Sequence, residues 1–303
     1  MTNLNSSVDI NEGLLKELEE FQLLLENEPE NLKIKIDIAN IHIKLGEYDL
    51  AIENFESLIG TEFENYQLFL QLAGVYSNLD NTEKTIENYI EVTKRKDDYY
   101  QAWFNLGNIY SKQGKLREAI HAFTKVTEFK PELHQLWYNL GNLYTKLDKI
   151  ESAIENYEKS LQLKPDLILN LTNLPALYYR LENYDKAIET YNKILHFRPD
   201  NIPALISIAK IFNKLSQYDG AIKYFEKVIE IKNDDVPTLK AIAELYRKIG
   251  DIEKTIEYFE KIAQFTPKDF SIYYKIANNY SEQKNFLKAV PYYNKVLKIN
   301  GEH

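Results

Sequence analysis

The stretch WFNLGNIY at residues 103–110 returns as WYNLGNLY at 137–144, 34 residues further on. The register extends in both directions without an insertion and divides the chain into 32–65, 66–99, 100–133, 134–167, 168–201, 202–235, 236–269 and 270–303. A fixed period of this size means stacked supersecondary units, because one unit cannot bury its own apolar face and leans on the next. Inside 100–133 the residues Trp103, Leu106, Gly107 and Tyr110 fall at i, i+3, i+4 and i+7, one stripe of an α-helix. Ala119, Phe123 and Val126 make the stripe of a second helix. Pro131 stops that helix, and Gly114 permits the turn between the two. The expected fold is all-α, with eight helix-turn-helix repeats.

The repeat also explains the composition. A small residue recurs in the first helix as Ala39, Ala73, Gly107, Gly141, Ala209, Ala243 and Ala277, where it lets a neighbour approach closely. Rings recur in the second helix as Phe55, Tyr89, Phe123, Tyr157, Tyr191, Phe225, Phe259 and Tyr293, so the 23 tyrosines are largely packing residues. The unit at 168–201 carries Pro175 at the small-residue place. In mid-helix a proline removes a hydrogen bond and clashes with the preceding turn at about 3 kcal/mol, so a kink or break is expected between 168 and 181.

These residues resemble the tetratricopeptide repeat family, whose pattern runs W-x2-L-G-x2-Y, then A-x3-F, then P. The resemblance covers 32–303 and implies a solenoid, a right-handed superhelix whose first helices line a concave groove that holds a protein segment. Residues 13–31 look like a capping half-repeat helix, with Phe21 and Leu24 where a second helix has its ring and its valine, and Pro29 where Pro131 stands. Residues 1–12 read as a polar arm before it.

Charge and composition narrow the function classes. The chain has 44% hydrophobic and 27% charged residues and a net charge of −9. The first 65 residues hold 4 Lys/Arg against 15 Asp/Glu, a balance of −11, and the rest hold 33 against 31. No basic surface of the kind that dominates nucleic-acid binding is expected. No apolar run approaches the ~20 residues of a membrane helix. With no cysteine, five scattered histidines and no glycine-rich phosphate loop, no metal, no cofactor and no enzyme activity are expected, and a cytoplasmic protein is the simplest reading.

Helical geometry selects the groove. Opposite the packed stripe lie Gln101, Asn105, Asn108 and Lys112, then Gln135, Asn139, Asn142 and Lys146, then Leu169, Asn173, Ala176 and Arg180. An amide both donates and accepts, so a ladder of asparagines suits a peptide backbone whatever its side chains. Phe104 and Tyr138 flank it as apolar rests. The ladder resembles that in the repeat superhelix of O-linked N-acetylglucosamine transferase. Asn108 and Asn139 also match the asparagine pair of the chaperone-tail type of repeat. Phe104, Leu169 and Asn173 occupy that type's cationic places, so a clamp for a terminal carboxylate is not expected. A basic ladder, Lys44, Lys112, Lys146, Arg180, Lys214 and Lys248, implies an acidic segment if it binds one.

The expected function is a non-catalytic scaffold or adaptor that holds an extended peptide segment and so assembles a complex. The alternatives are an oligomer self-assembled through its ends and a substrate-recruiting partner of a separate transferase. At the C-terminal edge Val290, Leu297 and Ile299 repeat the interior apolar pattern, and they are expected to dock on another copy, a partner helix or a further segment.

Overall fold

Each 34-residue period folds as a helical hairpin, and its turn has one signature. Gly46, Asp80, Gly114, Asp148, Glu182, Ser216, Gly250 and Lys284 stand 34 residues apart, and all have left-handed backbone, with φ between 55° and 84°. Their N–H groups bond back to carbonyls of the last turn of the first helix, as Gly46 does to Ile43 and Gly250 to Arg247. Second helices are then started by side-chain caps where the sequence offers them: Asn81, Asn183, Asp251 and Asn285 each accept from a backbone N–H three residues on.

The computed structural model describes residues 2–165 and 168–301, with side chains from 11 to 165 and from 171 to 301. The chain divides into two compact units, Met1–Pro165 and Asp166–His303. The first holds α1 (Thr2–Asn27), α2 (Lys33–Leu45), α3 (Tyr48–Glu56), α4 (Tyr66–Asn78), α5 (Thr82–Arg95), α6 (Tyr100–Lys112), α7 (Leu116–Phe129), α8 (His134–Lys146) and α9 (Ile150–Leu163). The second holds α10 (Ile168–Arg180), α11 (Tyr184–Phe197), α12 (Ile202–Lys214), α13 (Tyr218–Ile231), α14 (Val236–Ile249), α15 (Ile252–Phe265), α16 (Phe270–Glu282) and α17 (Phe286–Asn300). Among the described residues there is no strand. Within each unit the main contacts join helices adjacent in sequence. Local packing of this kind makes the fold a stack of hairpins, an all-α solenoid.

The small-residue place works by close approach. A Cβ added to Gly107 would lie 2.7 Å from the Phe123 ring, and one added to Gly141 would lie 2.8 Å from the Tyr157 ring. The second helix's ring therefore sits on the backbone of the first, and both rings are fully buried.

Three expectations are corrected. Helix α1 takes in the stretch 2–12 read as a polar arm, because no glycine or proline precedes Gly13 to stop it. In its capping half, Leu18 is buried among Ile34, Ile38 and Ile41, with Phe21 and Leu25 against them, while Leu24 is exposed. Of the kink or break expected at Pro175, the break is absent: helix α10 runs from Ile168 to Arg180 across Pro175, which is buried.

Non-glycine residues pay for the left-handed turn with a Cβ clash. Ser216 (φ 59°) and Lys284 (φ 60°) make no side-chain hydrogen bond or ion pair there. Ser216→Gly and Lys284→Gly are each expected to stabilise by about 0.5–1 kcal/mol, the relief of the clash less the entropy of the freer unfolded chain. A raised urea midpoint for each variant is the check, and a lowered one would show that the turn carries no such strain.

Candidate functional site

The two asparagine rows expected in the groove split into bonded and unbonded members. Tyr157 donates its hydroxyl to Asn142 Oδ1 at 2.6 Å, and Tyr293 does the same to Asn278 at 2.7 Å. Tyr89 has Gly74 where those repeats have asparagine. Its hydroxyl instead accepts from Asn105 Nδ2 of the following repeat at 3.0 Å. Burial pushes the Tyr89 phenol above its ordinary pKa, and the donated N–H pulls the other way. Asn105 thus serves the half-buried phenol of Tyr89 and Asn142 the fully buried phenol of Tyr157, groups that need a partner when taken from water.

Asn108 has no such duty, because its repeat carries Phe123, which has no hydroxyl. Neither Asn108 nor Asn139 makes a side-chain hydrogen bond within the chain, and both are half-exposed. Phe104 and Tyr138 are less open than expected. Their rings lie 5.6 Å from Phe123 and 5.8 Å from Tyr157, so each lends only an edge to a ligand.

The basic ladder divides the same way. Lys214 lies over the rings of Tyr179 and Tyr184 and 3.8 Å from Glu182. Its pKa is held up by the hydrogen bond to Tyr184. Lys248 lies over Tyr218 and donates to Asn213 at 3.2 Å. The preceding repeats of Lys112 and Lys146 offer Thr82 and Leu116 at the place of those tyrosines. Lys112 and Lys146 are accordingly exposed and unpaired, one on α6 and one on α8. Lys112 also borders a cavity of about 290 Å3 with Asp80 and Thr85.

Asn173 and Arg180 lie on α10 in the second unit, each with an interaction of its own within the chain. The Leu169 side chain lies outside the described residues. At the C-terminal edge Val290 is 54% and Leu297 70% exposed, whereas Ile222 and Ile256, at the place of Val290 in earlier repeats, are 5% and 4% exposed. Ile299 does not belong with them. It packs partly into the core, and its counterparts Ile231 and Phe265 are exposed in the interior repeats, so that place is not one a following repeat covers.

Some polar links escaped the sequence reading. Tyr224 donates to Asn192 at 3.4 Å, Tyr258 to Glu226 at 3.0 Å and Tyr292 to Glu260 at 2.6 Å, each across one repeat boundary. The signal was present: one place of the second helix reads Asn54, Asn88, Ala122 and Asn156 early in the chain and Tyr224, Tyr258 and Tyr292 later. Among the described residues no cluster of acidic or histidine side chains suits a metal, and no helix is long and apolar enough to cross a membrane.

Two profiles of the tetratricopeptide repeat match this architecture, one at 100–133 and 134–167, the other at 32–65, 176–201, 202–235, 241–269 and 270–303. The chain belongs to the tetratricopeptide repeat family. Among solved structures it is similar to the C-terminal part of a TPR repeat-containing protein from Cytophaga hutchinsonii, at 18% identity, over 80% of this chain and 99% of that one, with a TM-score of 0.56. A tetratricopeptide repeat protein from Parabacteroides merdae is 22% identical over 77% of this chain and 93% of its own, with a TM-score of 0.48. YrrB, described as a TPR protein with an unusual peptide-binding site, is 22% identical over 61% of this chain and 95% of its own, with a TM-score of 0.45. At these identities the likeness to the first is one of fold. No curated protein matches the chain.

Proposed function

We propose that the chain is a non-catalytic interaction scaffold of the cytoplasm that holds an extended, acidic polypeptide segment along α6 and α8. The observation that carries this reading is the set of side chains left unused by the fold. Asn108 and Lys112 stand four residues apart on α6, and Asn139 and Lys146 seven apart on α8, so each pair shares a helix face. None of the four has a partner within the chain. The amides suit a peptide backbone, and the two ammonium groups suit carboxylate side chains. In the second unit the equivalent lysines are already occupied by tyrosine rings, which favours the first unit as the site.

The test is a peptide-display selection on the wild-type protein and on a variant with Asn108, Lys112, Asn139 and Lys146 all changed to Ala. Wild type is expected to enrich acidic sequences with salt-sensitive binding, and the variant to lose that enrichment at an unchanged melting temperature. Equal enrichment by both proteins would sink the proposal. Loss of stability in the variant would assign these residues to the fold instead.

A further inference from the structure

A cavity of about 600 Å3 opens between α7, α8 and α9, against Tyr144, Asn156, Thr124, Lys159 and Trp137. Later repeats of the same chain show what this space holds when it is full. In 236–269 the counterparts of Tyr144, Asn156 and Thr124 are Tyr246, Tyr258 and Glu226. The Tyr258 ring stacks on Tyr246 at 5.5 Å and 27°, and its hydroxyl donates to Glu226 at 3.0 Å. Lys261, the counterpart of Lys159, lies over the Tyr258 ring at 4.4 Å. In 202–235 Tyr224 stacks on Phe212 at 5.6 Å and 19°, under Lys227. In 270–303 Tyr292 stacks on Tyr280 at 5.9 Å and 23° and donates to Glu260.

The repeat at 134–167 keeps the platform, the cation and a polar end, and lacks only the ring. Asn156 is too short to reach across, and it donates instead to the carbonyl of Ser152 on its own helix. Asn88 makes the same substitution in 66–99, but there the platform ring closes the gap itself, since Tyr76 is buried and donates to Glu56. Tyr144 has Thr124 in place of that carboxylate, stays half-exposed and makes no side-chain hydrogen bond. The wall is therefore left open on one side of an aromatic platform.

We propose that this cavity is a docking site for the tyrosyl side chain of a partner protein, which stacks on Tyr144 beneath Lys159 and turns its hydroxyl toward Thr124. A ring between an aromatic face and an ammonium group gains from both contacts. The cavity is much larger than one ring, so the backbone carrying the ring enters as well, which points to a polypeptide as the source. The proposal is independent of the unused asparagines and lysines of α6 and α8.

The indole N–H signals of Trp103 and Trp137 in a nitrogen-15 spectrum provide the test, with Trp103 as internal control. A short blocked peptide bearing one tyrosine is expected to shift the Trp137 signal saturably, and the same peptide with leucine to leave it in place. Tyr144→Ala should weaken the response up to about tenfold, the loss of one ring pair. Asn156→Tyr should abolish it, by filling the space from within as Tyr258 does, and should raise the melting temperature. No saturable shift, or a shift that survives Asn156→Tyr, would overturn the proposal. Saturable binding of p-cresol without binding of the tyrosine peptide would overturn the polypeptide source.

Discussion

Tyr157→Ala is expected to lower the stability of the first unit by about 3–5 kcal/mol, the range for removing a large buried ring. Tyr157 is fully buried, its ring lies against the backbone of Gly141 and beside Tyr138, and its hydroxyl bonds Asn142. Tyr157→Phe keeps the ring and loses only the hydrogen bond, so its cost should fall near 0.5–1.5 kcal/mol. The two variants separate packing from polar contribution at one place. Repeats contact chiefly their neighbours in sequence, so the damage should be local. Hydrogen exchange of the Tyr157→Ala protein should lose protection first in α8 and α9, with α2 and α4 less affected. Gly141 provides an internal control: with the ring gone, Gly141→Ala should realise the full helix-propensity gain of about 1 kcal/mol, which the ring contact offsets in the wild type. A cost under about 1 kcal/mol for Tyr157→Ala would show that the ring is not a keystone of its repeat.

The hairpins were legible in the sequence because their causes are local. The spacing of Trp103, Leu106, Gly107 and Tyr110 fixes a helix face, and Phe123 opposite Gly107 fixes how closely two helices meet. Helix ends were read less well for the same reason. Nothing between Thr2 and Gly13 favours or forbids a helix strongly, so the start of α1 was open, and a buried proline at 175 is tolerated where packing holds the helix. The site was legible only as a set of residue types. Asn105, Asn108, Asn139 and Asn142 look alike in sequence, yet two of them serve tyrosine hydroxyls and two do not. What decides is the identity of a residue elsewhere in the chain, Phe123 against Tyr157, or Gly74 against Asn142. Likewise Lys112 and Lys214 differ in role because of the residue one repeat earlier, Thr82 against Tyr184. Pairings across 15 or 32 residues recur only in the repeats that carry both partners, so they show when two places of the repeat are read together and not from either place alone.

The tyrosine–carboxylate links make alkali the second strong lever. Burial, with the nearby Glu226 carboxylate, pushes the Tyr246 phenol up to about 12, and the same two causes push Tyr258 higher still. Burial and the hydrogen bond to Glu260 raise Tyr292, and burial with Glu56 raises Tyr76 in the first unit. In an unfolded chain these phenols titrate near their ordinary value of about 10. Below that pH both states hold the protons and the links contribute in full. Above it the unfolded chain releases protons that the folded chain retains, so stability falls as pH rises until the folded values are passed. Urea midpoints are therefore expected to be flat with respect to these groups up to about pH 10 and to drop steeply toward pH 12. In ultraviolet absorbance, the tyrosinate that disappears when Tyr246, Tyr258 and Tyr292 are changed to Phe should appear in the wild type only together with unfolding. Changing Tyr246, Tyr258 and Tyr292 to Phe should lower the midpoint at neutral pH and flatten the alkaline drop. Glu226→Gln should flatten it in part, since burial still opposes ionisation when the carboxylate is gone. If the tyrosinate that the triple Phe variant no longer forms appears near pH 10 in the fully folded wild type, those three phenols are open to water and their links to the preceding repeat bear no load.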